Sequence, residues 1–289
     1  MKLKTSQVDL LMAIIVLCSG WSSPAVWSQN TKEGKDVKTT RIAMCQIVAL
    51  DGDKEGNFFR IEHALREAQA QKADIACFPE TTLLGWVNPD AHKQAQPIPG
   101  KDSDRLCALA KKYDMYISVG LAEKENDTLY DSMVLIDNQG TILLKHRKIN
   151  ILTELMTPPY TPGESVSAVD TAYGRIGLLI CADTFLDGCL SQMKAQEPDL
   201  LLAPYGWAAA EGSWPGHGKQ LENTVRNAAQ VIGCPLVGTD LVGSITHGPW
   251  AGMVYGGQSV ASDAHGKILG RCADRDRDIQ IVSIERKNK

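Results

Sequence analysis

Apolar and polar residues alternate along the chain in blocks that predict strands and helices in turn. Apolar runs of strand length recur at 42–48, 74–78, 115–121, 177–180 and 200–204. Between the first two runs, Phe58, Ile61 and Leu65 fall on one face of a predicted helix that Asn57 would cap. A turn at 137–140 between two apolar runs predicts a hairpin. The pattern therefore predicts an α/β fold with mixed rather than purely parallel sheets.

Three of the predicted strands end in side chains that carry chemistry. Glu80 follows the strand at 74–78, Lys148 follows the strand at 141–144, and Cys181 follows the strand at 177–180. In α/β proteins, reactive groups collect at the carboxyl ends of strands. A carboxylate, an ammonium and a thiol together supply a base, an oxyanion-stabilising cation and a nucleophile. This set is suited to attack at a carbon bonded to nitrogen.

The thiol needs help from its neighbours, because a free cysteine is mostly protonated at neutral pH. Glu80 is the expected base. Lys148 would stabilise the thiolate and then the oxyanion of the tetrahedral intermediate. The backbone N–H of Ala182 is the expected second donor, and Asp183 is expected to hold the turn rather than to transfer protons.

Other enzyme classes fit these residues less well. A papain-like protease would pair Cys181 with His217 and Asn223, but its local cysteine signature is absent. Residues 257–261 faintly resemble a serine nucleophile elbow, yet the acid and histidine would have to follow within a few residues. The sequence has no metal-binding spacing, P-loop or dinucleotide fingerprint. We therefore expect no metal and no cofactor.

The composition and the N-terminal residues limit the cellular location of the protein and the classes of partner that it can bind. The net charge of −4 provides no basic surface for nucleic acid. Lys2 and Lys4 precede the apolar run 10–18, which is too short for a comfortable membrane span. We interpret 1–28 as a secretory signal peptide, 29–40 as a polar linker and 41–289 as one catalytic domain. A lipoprotein anchor at Cys18 and an uncleaved signal anchor are the alternatives. Cleavage would leave seven of the eight cysteines.

Several short motifs occur in an order that resembles one known family. They are Phe78-Pro79-Glu80, Tyr130-Asp131-Ser132, Arg147-Lys148, Thr161-Pro162-Gly163, Cys181-Ala182-Asp183 and Gly257-Gln258-Ser259. This ordered set resembles the nitrilase (carbon–nitrogen hydrolase) superfamily, with Asp131 standing where that family has Asn. The resemblance implies a four-layer α-β-β-α sandwich that forms homodimers or larger homo-oligomers. It also implies a second glutamate after the lysine, for which Glu154 is the candidate.

Together, the residues and the resemblance predict an exported hydrolase, periplasmic or secreted, with Glu80, Lys148 and Cys181 as its catalytic triad. Its expected substrate is a small linear amide or N-carbamoyl compound, cleaved through a thioester with release of ammonia or amine. Nitrile hydrolysis is one alternative. The other is a protein of the same fold that has lost turnover and acts as a binding or scaffold module.

Overall fold

The computed structural model describes residues 38–285, so the predicted signal peptide and most of the predicted linker lie outside the described residues. The helices are α1 (Lys54–Ala70), α2 (Ala91–Gln94), α3 (Lys101–Tyr113), α4 (Asp187–Ala195) and α5 (Gly216–Ile232). The strands are β1 (Thr39–Gln46), β2 (Ile75–Cys77), β3 (Tyr116–Glu125), β4 (Thr128–Ile136), β5 (Ile142–Arg147), β6 (Ala168–Thr171), β7 (Gly174–Leu178), β8 (Leu200–Pro204), β9 (Ala208–Ala209), β10 (Leu236–Thr239), β11 (Val242–Ser244), β12 (Val254–Gly256), β13 (Val260–Ser262), β14 (Ile268–Arg271) and β15 (Asp278–Glu285).

Two large mixed sheets form the centre of the molecule. The first has the strand order β15-β1-β2-β3-β4-β5, and the second has the order β14-β13-β10-β8-β7-β6. In each sheet the central neighbours are parallel (β1-β2-β3 and β7-β8-β10), whereas the outer pairs are antiparallel. A small third sheet joins β11, β12 and β9.

Strand β1 shows how the layers are packed. Its residues Ala43 and Cys45 lie in the core beneath α1 and α3, whereas Ile42 and Met44 lie in the core shared by the two large sheets. Successive side chains of a strand point to opposite faces, so a strand buried on both sides is apolar throughout. Helices α4 and α5 cover the outer face of the second sheet. The layers therefore follow the order helix, sheet, sheet, helix.

Two predicted boundaries differ from the structure. Strand β1 begins at Thr39, inside the predicted linker, because Thr39 and Thr40 already pair with the last residues of β15. Helix α1 begins at Lys54, and Asp53 rather than Asn57 caps it by accepting a hydrogen bond from the Gly56 N–H. Buried Asn57 instead bonds to the loop before the helix, through the backbone of Leu50.

The predicted hairpin joins β4 to β5 and places the lysine that follows β5. Asp137 accepts hydrogen bonds from the N–H groups of Gln139 and Thr141, and Gly140 adopts a φ of 80° that glycine tolerates well. The register pairs Ser132 with Arg147. Among residues 38–285, no helix combines the length and the apolar character that crossing a membrane requires.

Candidate active site

Glu80 lies just past the end of β2, between the two large sheets. The chain continues the sheet for one residue, since the Phe78 N–H donates to the Ser118 carbonyl at 2.7 Å. The Glu80 N–H then donates to the Tyr205 carbonyl after β8 at 3.3 Å. This bond links the first sheet to the second, and the Glu80 side chain is fully buried.

Lys148 is the first residue after β5, and its backbone is held on both sides. Its N–H donates to the Asp131 carbonyl at 2.8 Å, and its own carbonyl accepts from the Gly163 N–H at 2.7 Å. Its Nζ donates to Glu80 Oε1 at 2.5 Å. The residue is 4% exposed, so this ion pair is shielded from water.

Cys181 opens a tight 3-10 turn, Cys181–Phe185, directly after the buried segment that continues β7. Its φ of 41° lies in the left-handed region, which is uncommon for a non-glycine residue. Thr184 stabilises the turn, because its hydroxyl donates to the Cys181 carbonyl at 2.7 Å and contacts the Tyr205 hydroxyl at 3.1 Å. Nucleophiles on sharp turns of this kind are presented at the edge of a sheet.

Asp183 ties the cysteine turn to the segment after Lys148. Its Oδ1 accepts from the N–H groups of Ile149 and Asn150 at 2.9 and 2.8 Å. Its Oδ2 lies 2.8 Å from His146 Nε2. Burial opposes ionisation of Asp183, but His146 and the N–H groups of Asn150 and Ile180 outweigh burial and hold the pKa of Asp183 below its ordinary value. Asp183 therefore remains charged as a structural link between the two segments.

The electrostatics around Cys181 favour the thiol over the thiolate at rest. Burial raises the pKa of Cys181 well above its ordinary value and the charge of Glu80 adds to it, whereas Lys148 acts in the opposite direction. Lys148 itself stays protonated. Burial would lower its pKa, but Glu80, Cys181 and Asp131 together raise it well above the usual value. A thiol in this setting needs a base at the moment of attack.

Two of the predicted supporting residues occupy different environments. Ala182 is buried and follows Cys181 inside the turn. Glu154 is exposed on the short 3-10 turn Thr153–Leu155 and does not line the cleft beside Lys148. The structure thus brings Glu80, Lys148 and Cys181 together with the Ala182 turn, but it does not bring Glu154 to them.

The structure adds residues that the sequence reasoning assigned no role. Asp131 Oδ2 lies 3.5 Å from Lys148 Nζ, and the buried Tyr160 lines the same narrow cleft. The cleft contains Asp131 and Lys148 and is otherwise mainly apolar, with Trp86, Val87, Ile151, Leu152, Leu155 and Tyr160 along its walls. The Tyr130-Asp131-Ser132 motif was the available signal, since an acid stands in it where the resembled family has an amide.

Taken together, these groups can carry out nucleophilic acyl chemistry. The site has a thiol, a carboxylate that can accept its proton, and a cation next to the carboxylate. No disulfide joins the cysteines of residues 38–285, so Cys181 is available as a nucleophile. The same described part of the chain contains no cluster of side chains suited to hold a metal ion.

Comparisons with known proteins agree with this description. The carbon-nitrogen hydrolase family model matches residues 41–288. The omega-amidase NIT2 of Bos taurus is 32% identical over 195 residues, which cover 64% of this chain and 69% of that protein. The bifunctional nitrilase/nitrile hydratase NIT4A of Nicotiana tabacum is 27% identical over 213 residues. That match covers 67% of this chain and 61% of the tobacco protein, so the chain spans about three fifths of that relative.

Solved structures share the fold. An amidase from Nesterenkonia sp. superposes with a TM-score of 0.74 at 22% identity, covering 85% of this chain and 90% of that one. A carbon-nitrogen hydrolase from Helicobacter pylori G27 gives the same TM-score at 20% identity, covering 86% and 90%. The predicted four-layer α-β-β-α sandwich with mixed sheets is confirmed.

Proposed function

Because the chain belongs to the carbon–nitrogen hydrolase family, we propose that it hydrolyses a linear amide or N-carbamoyl compound and releases ammonia or amine. The observation that carries the proposal is the buried pair of Glu80 and Lys148, 2.5 Å apart, beside the strained turn of Cys181. All three side chains come from different strand ends of the two sheets. Burying an acid and a cation beside a thiol costs folding free energy. Such clusters are therefore typical of functional sites.

In the first half-reaction, Glu80 accepts the thiol proton as Cys181 Sγ bonds to the substrate carbonyl carbon. The carbonyl π electrons move onto oxygen, where Lys148 and the Ala182 N–H stabilise the negative charge. Collapse of this intermediate breaks the C–N bond. The departing nitrogen takes the proton from Glu80 and leaves, and the acyl group remains on Cys181 as a thioester.

In the second half-reaction, Glu80 accepts a proton from water as the water oxygen attacks the thioester. Lys148 again faces the oxyanion. The C–S bond then breaks, Cys181 regains a proton from Glu80, and the carboxylic acid departs. The short contact between Glu80 Oε1 and Lys148 Nζ supports both steps, because it holds the proposed base and the proposed oxyanion donor side by side.

The lining of the cleft favours a small uncharged acyl group. Trp86, Val87, Ile151 and Leu152 are apolar, and Lys148 is already paired with acids. A substrate carboxylate would therefore find no unpaired cation among the described lining residues. This favours a short aliphatic amide over an N-carbamoyl amino acid within the proposed class. Nitrile hydrolysis is the second candidate, supported by the likeness to the tobacco nitrilase/nitrile hydratase.

Ammonia release by the purified chain tests the proposal. The panel contains short aliphatic amides, N-carbamoyl amino acids and nitriles, and Cys181→Ala is assayed beside the wild type. We expect release from an amide that is lost in Cys181→Ala while its circular dichroism spectrum and thermal melt stay unchanged. Release that persists in Cys181→Ala would refute the mechanism. A reduced, folded wild type inactive on the whole panel would favour the binding or scaffold alternative.

Export and self-association accompany this proposal. The charged start and the apolar run at 10–18 support cleavage after about Ser28. Family membership supports a homodimer or larger homo-oligomer. The mass of the denatured mature chain tests the cleavage, and the mass of the native protein by light scattering tests the oligomeric state. An uncut N-terminus would argue against the signal peptide, and a monomer would argue against the oligomer.

A further inference from the structure

Lys148 contacts two buried acids, although the proposed reaction needs only one. Its Nζ lies 2.5 Å from Glu80 Oε1 and 3.5 Å from Asp131 Oδ2. The side chains of both acids are at most 1% exposed. Two carboxylates facing one ammonium would leave a net negative charge buried beside Cys181. Such a charge is costly, and it would oppose formation of the thiolate.

The groups around Asp131 provide no second positive charge that contacts it. Glu80 faces it from the end of β2, Lys148 from the end of β5, and Cys181 and Asp183 from the cysteine turn. Tyr160 faces it from the loop before β6, and burial raises the pKa of this phenol well above its usual value, so it stays neutral. Asp183 is already paired with His146. Among residues 38–285, Lys148 is the cation in contact with Asp131.

Two carboxyl oxygens at this point have no hydrogen-bond partner in the described structure. They are Glu80 Oε2 and Asp131 Oδ1, and the Tyr160 hydroxyl beside them is also unpartnered. Unpartnered buried oxygens are destabilising, more so when they carry charge. A proton on one of the two acids would remove one charge and would supply a donor for the other. Burial raises the pKa of Asp131 well above its ordinary value, the charge of Glu80 raises it further, and Lys148 opposes both.

We propose that Asp131 is a positioning residue that holds a proton throughout turnover, leaving Glu80 and Lys148 as one anion and one cation beside Cys181. The proton is not consumed in the reaction. Its role is to keep Asp131 neutral, so that Lys148 is directed to Glu80 and the oxyanion. This inference rests on the proposed function for the assay, because the rate is read from amide hydrolysis.

A pH limit follows from this arrangement. Above the pH at which Asp131 loses its proton, two negative charges compete for Lys148 and oppose thiolate formation at Cys181. The rate should therefore fall on the alkaline side. Asn has nearly the same shape as a protonated Asp and cannot ionise, so Asp131→Asn should retain activity and lose this limit. A purely structural role for Asp131 predicts no such change in the pH profile.

The test compares kcat/KM over pH for wild type and Asp131→Asn on the best amide substrate. We expect the wild type to decline about tenfold per pH unit above its alkaline limit. In Asp131→Asn this limit should vanish or move up by about one pH unit or more. Asp240→Asn is the matched control, because Asp240 is buried and has one unpartnered oxygen but makes no contact with Lys148. It should keep the wild-type limit.

A second readout needs no substrate and separates this inference from the proposed function. Iodoacetamide labelling of Cys181, quantified by peptide mass spectrometry, should reach its half-maximal rate at lower pH in Asp131→Asn than in wild type. If that shift occurs while no amide is hydrolysed, the inference stands and the proposed function fails. Identical labelling curves, a wild type without an alkaline limit, or an equal shift in Asp240→Asn would overturn the inference. The labelling comparison also decides the matter if Asp131→Asn is folded but inactive.

Discussion

Strand β5 and the residue after it separate two buried acid clusters, and the first of them is fully paired. Lys145 and Arg147 point to one side of the strand and meet Glu123. Glu123 Oε1 accepts from Lys145 Nζ at 2.6 Å and from Arg147 Nη2 at 2.7 Å. Glu123 Oε2 accepts from the Ser132 hydroxyl and from Arg147 Nε. In this cluster two cations and a hydroxyl surround one carboxylate, and both of its oxygens are bonded.

On the opposite side of the strand the ratio of cations to acids is reversed, since one cation faces two carboxyl groups. Lys148 faces Glu80 and Asp131, and one oxygen of each acid has no partner among the described residues. The cations of the two clusters come from β5 and from the residue that follows it, and both acid sites are buried. Burial by itself does not distinguish them. The difference lies in the number of donors per carboxyl group.

This difference reverses the direction of the pKa shifts. Burial would raise the pKa of Glu123, but the hydrogen bonds from Arg147, Lys145 and Ser132 outweigh burial and lower it. Burial raises the pKa of Asp131, and the charge of Glu80 adds to the rise. A carboxylate whose two oxygens both accept hydrogen bonds from cations holds its charge. Acids that share one cation and keep oxygens without a donor can still exchange protons. We therefore interpret the Glu123 cluster as structural and the Lys148 cluster as the proposed site of chemistry.

Removing the cation on each side should produce the largest contrast. Lys148→Met leaves two buried acids without a cation and removes the oxyanion donor. We expect amide hydrolysis to fall on the order of 10³-fold or more. Lys145→Met leaves Arg147 on Glu123, so this matched variant should keep most of its activity. Steady-state ammonia release measures both. Similar losses in the two variants would mean that the two sides do not differ in function.

Neutralising the acid of the paired cluster should affect stability rather than chemistry. Glu123→Gln should lower the free energy of unfolding by roughly 1–3 kcal/mol at neutral pH. The folded-state pKa of Glu123 is lowered, so its charge stabilises the fold above the unfolded-state value of about 4.3. That contribution disappears as the pH falls through the folded-state value.

Thermal melts across pH check this prediction. The difference in Tm between wild type and Glu123→Gln should be widest at neutral pH and should close in acid. A difference that stays constant from neutral to acidic pH would show that the Glu123 charge does not stabilise the fold. Amide hydrolysis by the folded variant should remain close to that of wild type, since Glu123 lies across the strand from the site.

The sequence predicted the strands and the residues at their ends because those signals are local, whereas the four-layer arrangement came from the family resemblance. Apolar runs of strand length and the turn at 137–140 are visible without tertiary knowledge, and the order of Glu80, Lys148 and Cys181 follows from motifs beside predicted strands. The prediction that Asn57 caps the first helix was wrong, because Asp and Asn are comparable capping residues and Asp53, four positions earlier, takes that role while Asn57 bonds to Leu50.

The balance of charges could not be predicted in the same way. Asp131 meets Lys148 through the pairing of β4 with β5, in which Ser132 lies opposite Arg147. That register is a tertiary property, and a change of one residue would point Asp131 to the other face. Glu154 was chosen from the family resemblance, as a glutamate that follows Lys148, and the 3-10 turn places it at the surface.

We propose that Sγ of Cys181, beside Glu80 and Asp131, is the atom that bonds to the substrate. Acid quenching of the wild type during turnover of an amide, followed by peptide mass spectrometry, tests it most directly. We predict that the Cys181 peptide carries the mass of the acyl group and that the peptides of Cys77 and Cys189 do not. Ammonia release at full rate with the acyl group on another residue, or in a protein with Cys181 already blocked, would contradict the account.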